Sequence, residues 1–180
     1  MDINLKTCSE EDLWKYVGSH LSQNHIDAVL VGGAVVSIYT DGAYESGDLD
    51  FIVMNLFKDK LESAMKEIGF SRKGRHFIHP ECKHLFVEFP PGPLGIGEDI
   101  NIEPVEKLFE GKVLKILAPT DCIKDRLASY IHFNSRECLD QAILVAKMQP
   151  FKRAEIKKWC NGEKADWAFS DFEQQLKNLK

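Results

Sequence analysis

The segment Ser46-Gly47-Asp48-Leu49-Asp50-Phe51-Ile52-Val53 constrains this 180-residue chain more than any other. Successive strand residues face opposite sides, so Leu49, Phe51 and Val53 can bury one face while Asp48 and Asp50 share the other, about 6–7 Å apart. Two carboxylates held that close raise each other's pKa unless a cation lies between them, and a divalent metal is the natural cation. The competing reading is a solvated strand entrance in which the aspartates only form a turn.

The segment just upstream favours the metal. Asp27-Ala28-Val29-Leu30-Val31 reads as a short buried strand, Gly32-Gly33 interrupt it, and Ala34 to Tyr39 begin a helix. A strand, a glycine pair and a helix N-terminus make an anion site: glycine lets the backbone approach a phosphate, and the free N–H groups and helix dipole point at it. A plain tight turn would use the same glycines. A phosphate cradle beside a pair of metal-binding carboxylates is what a magnesium nucleotide needs.

With these residues the chain resembles the nucleotidyltransferase superfamily, the polymerase-beta-like fold in which a Gly-Gly or Gly-Ser turn precedes a Ser-x-Asp-x-Asp strand. More narrowly, it resembles bacterial proteins related to AbiEii-type nucleotidyltransferase toxins. The matching residues are Gly32, Gly33, Ser46, Asp48 and Asp50, then Glu88 in Phe86-Val87-Glu88-Phe89-Pro90, and a helical block from Pro119 to Ala142, so the likeness covers about residues 25–148. The pattern departs at Tyr44, where many relatives carry arginine, and at Gly33, in place of a serine often used to hold phosphate.

The resemblance implies an α/β (α+β) fold, a mixed sheet flanked by helices with a helical C-terminal half. It divides the chain into a core over residues 1–117 and a helical region over 118–180 packed on that core. It implies metal-dependent transfer of a nucleotidyl group from a nucleoside triphosphate to an acceptor hydroxyl on RNA, protein or a small molecule, with Mg2+ or Mn2+ as cofactor. Asp48, Asp50 and Glu88 would be the catalytic and metal-binding acids, and Gly32, Gly33, Ser46, Lys124 and Asp140 the nucleotide-binding set. The alternative from another class is a non-catalytic nucleotide-binding or toxin–antitoxin partner protein that keeps the fold.

Composition narrows the class further. A chain of this length with 44% hydrophobic residues can bury one sizeable core. Its sequence shows no apolar run long enough for a membrane span and no apolar leader at Met1-Asp2-Ile3-Asn4-Leu5-Lys6, which points to the cytoplasm. Five cysteines, scattered and odd in number, suit reduced thiols. A formal net charge of −5 argues against coating nucleic acid nonspecifically.

The remaining elements follow from periodicity. Ser9 with Asp12 resembles a capping box for a first helix striped by Leu13, Val17 and Leu21. Asn55 should cap a helix that Gly69 stops. Phe70 to His79 and His84 to Phe89 read as two strands joined at Pro80-Glu81-Cys82-Lys83, and Lys112 to Leu117 as one more. Residues 90–97, rich in glycine and proline, form a loop at the strand exit, and four helices broken near Asn134, Pro150 and Gly162 follow.

Glu88, among Phe86, Val87 and Phe89, is the third acid: if its strand lies beside that of Asp48 and Asp50 it could hold a second metal or take a proton from an attacking hydroxyl, the alternative being a solvent-facing residue of an edge strand. Glu98, Asp99 and Glu103 compete, but read as solvated loop acids. Lys124 and Arg126 are cations suited to a triphosphate, or else a salt-bridged helix surface with Asp121 and Asp125. His76, His79, Cys82 and His84 lack the paired Cys-x-x-Cys of a structural zinc site and read better as histidines around a hairpin, near Arg72, Lys73 and Arg75.

Overall fold

The structure is a computed structural model that describes residues 3–54 and 58–178. Helix α1 (Glu10–Gln23) starts where Ser9 predicts. The Ser9 hydroxyl accepts the Asp12 amide and Asp12 Oδ2 accepts the Ser9 amide, both at 3.1 Å, so two otherwise orphaned donors are satisfied. Strand β1 (Ala28–Val31) leads through Gly32 into α2 (Gly33–Tyr39), and β2 (Asp48–Val53) returns beside β1. Helix α3 (Lys58–Glu67) ends at Gly69, whose φ of +83° is the left-handed turn that glycine takes without steric cost. The expected cap at Asn55 lies outside the described residues.

Three short strands follow, β3 (Ser71–Lys73), β4 (His76–Ile78) and β5 (Phe86–Glu88), then β6 (Val105–Phe109) and β7 (Lys112–Ile116). Among the described residues these form one mixed sheet in the order β3-β4-β5-β2-β1-β7-β6, with β2–β5 and β1–β7 parallel and the other pairs antiparallel. Helices α4 (Pro119–Phe133), α5 (Arg136–Met148), α6 (Arg153–Gly162) and α7 (Asp166–Asn178) complete the chain. The mixed sheet with a helical C-terminal half is the expected fold class. Among the described residues no helix is long and apolar enough to cross a membrane.

Two strand assignments differ from expectation. The segment from Phe70 to His79 is two strands rather than one, because Gly74, at φ +65°, turns the chain so that Arg72 pairs with Phe77 and Lys73 with His76. The second difference is β6, which carries no apolar alternation because it lies at the sheet edge, with Leu108 78% exposed. Its signal was the turn Glu110-Gly111, both at positive φ (+47° and +75°), the mirror-image geometry that suits a tight hairpin.

One continuous core joins both halves, from Leu13 and Val17 through Val29, Leu30, Phe51 and Val87 to Leu127, Leu139 and Phe172. Tyr39 fastens the helical part to the sheet. Its hydroxyl donates to the Leu117 carbonyl at 2.6 Å, and its own carbonyl accepts Gln149 Nε2 at 2.7 Å. Tyr39→Phe is expected to cost about 1–2 kcal/mol, since a buried acceptor loses its partner. Urea unfolding at an unchanged m-value checks it.

Candidate functional site

Strand β2 lies between β1 and β5, and its register decides the site. Asp50 pairs with Val31 on one side and with Glu88 on the other, while Asp48 pairs with Phe86. Cross-strand partners share a face, and residues two apart on a strand do too, so Asp48, Asp50 and Glu88 emerge on one face of the sheet. Their oxygens share that face without all coming within 4.8 Å of one another. Leu49 and Phe51 point the other way and are fully buried, which anchors the strand.

Charge is crowded here. Burial, then Asp48 and Glu88, push Asp50 up from the usual carboxylate range to about 7, although the Arg126 guanidinium pulls the other way. The glycine pair makes this crowding feasible. Gly32 has φ +77°, and a Cβ there would stand 2.6 Å from Asp50 Oδ2, while a Cβ on Gly33 would meet the Ser46 hydroxyl closer still. The two glycines therefore admit the side chains of the neighbouring strand as well as freeing the N-terminus of α2.

Ser46 orients the first aspartate. Its hydroxyl donates to Asp48 Oδ1 at 2.7 Å, and its amide donates to Oε1 of the buried Glu10 at 2.8 Å, so α1 helps to hold the loop that enters β2. Glu88, with its side chain only 13% exposed, is held by β4 and its turn: His76 Nε2 lies 2.6 Å and Arg75 Nε 3.3 Å from Oε1. The His76 ring packs on Phe86, centroids 4.4 Å apart. His76 and Arg75 are functional candidates that sequence reasoning missed as partners of Glu88. Only the turn at Gly74, which sets His76 opposite Glu88, could have revealed them.

Helix α4 brings one cation to the acids. Arg126 is bound to Asp125 (2.9 Å through Nε, 2.5 Å through a terminal nitrogen) and to Gln141 Oε1 at 3.4 Å. Burial works against its charge, but Asp125 outweighs that and holds the guanidinium firmly protonated. With Gly32, Asp50 and the loop from Pro90 to Ile96 it lines a cavity of ≈ 240 Å³.

Lys124 goes elsewhere. Two helical residues turn about 200°, so it faces away from Arg126, pairs with Asp121 at 2.9 Å and Asp99 at 3.4 Å, and lines a separate cleft of ≈ 700 Å³ beside Trp159. Asp140 is exposed on α5. Tyr44 is half-buried, and burial first, then Glu137, raise its pKa while Arg126 lowers it. Its ring lies beside the glycine pair, where a Cβ on Gly33 would stand 3.5 Å from Tyr44 Cε1. The competitors Asp99 and Glu103 both line the Lys124 cleft.

No family model and no curated protein matches this chain. Solved structures do. An antigenic nucleotidyltransferase-like protein from Paracoccidioides brasiliensis superimposes with a TM-score of 0.53 at 19% identity, over 76% of this chain and 77% of that one. The antibiotic-resistance factor ANT(2'')-Ia superimposes with a TM-score of 0.52 at 11% identity, over 93% and 92%. The same protein in complex with adenylyl-2''-tobramycin gives 0.52 at 10% identity, over 91% and 96%. This chain has the nucleotidyltransferase fold. The likeness spans the acid-bearing sheet and the C-terminal helices together.

The raised Asp50 has a sign that can be measured. A carboxyl whose folded pKa is raised stabilises the fold below its unfolded value, near pH 4, and that contribution is lost as pH rises through about 7. Asp50→Asn carries no such penalty. In the absence of divalent metal its melting temperature should match the parent's near pH 4 and exceed it at pH 8, a gain of about 2–4 kcal/mol. A variant that melts below the parent at both pH values would mean that Asp50 is a structural acid.

Proposed function

We propose that this protein transfers a nucleotidyl group from a nucleoside triphosphate to an acceptor hydroxyl. The observation that carries the proposal is the shared face of Asp48, Asp50 and Glu88, of which Asp50 lines a cavity that Arg126 also lines. A carboxylate pushed to about 7 by burial and then by two neighbouring carboxylates is a place prepared for a cation. The donors are all carboxylate oxygens, which suits Mg2+ or Mn2+ rather than a softer metal. Asp48 and Asp50 would hold the metal, and Glu88 would join them or act as base.

The bound metal would supply charge neutralisation and alignment of the attacking and leaving oxygens. The chain's own groups do the rest. Arg126, a planar fork of donors that stays charged, faces the same cavity and would take a phosphate oxygen, with the amides at the start of α2 beside it. This role passes to Arg126 in preference to Lys124, whose charge is already shared by two carboxylates in the other cleft. Ser46 would hold Asp48 in place through the hydrogen bond from its hydroxyl. His76 and Arg75 both engage Glu88 Oε1, so Oε2 is the atom that would receive the acceptor's proton. The loop from Pro90 to Ile96 closes one side of the cavity and would exclude water from the reacting groups.

The nucleotide can be screened directly. ATP, CTP, GTP and UTP are each added with and without Mg2+, and the melting temperature is read. At least one should stabilise the protein only with metal present. A triphosphate at a hundred times its dissociation constant adds about 2.7 kcal/mol, well within detection. If none of the four shifts the transition and none is turned over, the transferase reading falls.

Glu88→Gln separates binding from chemistry. It should leave triphosphate affinity within about tenfold, or 1.4 kcal/mol, since Asp48 and Asp50 remain. Nucleotidyl transfer should drop by about a hundredfold or more with the loss of the base. Labelled-nucleotide transfer to RNA, protein and the protein itself, beside a binding titration, reads both. Transfer at the parent rate would leave Glu88 as a strand residue only.

A further inference from the structure

Outside the acid face, Cys8, Cys82 and His84 bring three metal-binding atoms within 4.8 Å of one another, and no other trio among the described residues does so. Cys8 stands immediately before the cap of α1, while Cys82 and His84 belong to the turn between β4 and β5, 74 residues further on for the cysteine pair. We propose that these three residues bind a thiophilic divalent cation, zinc before others, at a site separate from the carboxylates.

The sulfur geometry is the first argument. The two Sγ atoms lie 3.9 Å apart. Two zinc–sulfur bonds of about 2.3 Å at a tetrahedral angle span about 3.8 Å. A disulfide needs about 2.05 Å, so the chain would have to close nearly 2 Å to form one. The sulfurs are therefore spaced to grip an ion between them.

The histidine is the second. Metal-binding histidines characteristically give their other ring nitrogen to a carbonyl or carboxylate, which fixes the ring. His84 Nε2 lies 2.8 Å from the Cys8 carbonyl, a contact that fixes the ring and would leave Nδ1 as the metal ligand. One ligand thus orients another. The Cys-x-His spacing on one turn and a cysteine from a distant segment also supply ligands that the sequence alone does not group.

Burial is the third. Cys8 and Cys82 are 6% and 2% exposed, whereas His84 lies at the surface. Two thiolates and a divalent ion together carry no net charge, so the unit suits a buried position, and the ion can enter past His84, where solvent completes four ligands. The bound ion would tie the N-terminal segment to the hairpin that carries His76 and Glu88. It would stiffen the support of the acid face without touching it.

Cobalt(II) tests the proposal, because its spectrum reports the ligands. The reduced full-length protein should take up one cobalt per chain with a thiolate charge-transfer band and the strong visible bands of a tetrahedral site. Zinc should bleach them and raise the melting temperature. Cys8→Ala and Cys82→Ala should each abolish the charge-transfer band's two-sulfur intensity. His84→Gln, a surface change that leaves the core intact, should weaken cobalt binding at least tenfold. Asp48→Asn and Asp50→Asn should leave the spectrum unchanged. The proposal is overturned if the reduced parent shows no thiolate band at one equivalent of cobalt. It is equally overturned if the band survives in the double cysteine variant, or if removal of reductant converts Cys8 and Cys82 to a disulfide in a protein that takes up no metal when reduced.

Discussion

Mutual repulsion among Asp48, Asp50 and Glu88 is the interaction around which this structure is arranged. Ladder register places Asp50 opposite Glu88 and two residues from Asp48, and strand geometry leaves them no choice of face. Such a cluster is unfavourable in an otherwise apolar sheet: burial first, and then Asp48 and Glu88, displace Asp50 to about 7. A fold tolerates it only if the rest of the sheet is secure, and here Leu49, Phe51 and Val87 bury the opposite face completely. Local destabilisation retained against a well-packed core is the signature of a site kept for binding.

The supports are distributed over the whole chain. Glu10, from α1, holds the amide of Ser46, and Ser46 holds Asp48. Gly32 and Gly33 yield space to Asp50 and Ser46. His76 and Arg75, from β4 and its turn, hold Glu88, and α4 sends Arg126 across the cavity already bound to Asp125. Each acid is thus oriented by a hydrogen bond or a neighbouring backbone, while the Arg126 guanidinium is shared with Asp125.

Much of this could be read from the sequence because it rests on local rules. Ser9 and Asp12 announce α1, the alternation from Leu49 to Val53 announces β2, and Gly69, Asn134 and Gly162 mark helix ends. Edge strands are less legible: β6 is charged and exposed, so burial leaves no imprint on its pattern. Partnerships across the sheet are less legible still. Nothing near His76 names Glu88 as its neighbour until the Gly74 turn fixes the β4–β5 register, and Cys8 joins Cys82 only because α1 begins against the hairpin. That Lys124 and Arg126 line different cavities depends on the rotation of one helix, a difference of phase that composition cannot supply.

That phase has a consequence for the two cavities. The larger cleft, ≈ 700 Å³, offers Lys124, already paired with Asp121 and Asp99, and although Lys152 and Lys158 line it too, Glu98, Glu103, Glu155 and Glu163 add further negative charge. A free phosphate would meet more repulsion than attraction there. The smaller cavity has one guanidinium that presents five donors, of which Asp125 and Gln141 use only some, and Asp50 of the acid face lines it. Volume alone would favour the first. For the proposed transfer, charge and donor geometry favour the second, because such a reaction would depend on where negative charge can be balanced as it develops, not on how much room surrounds it.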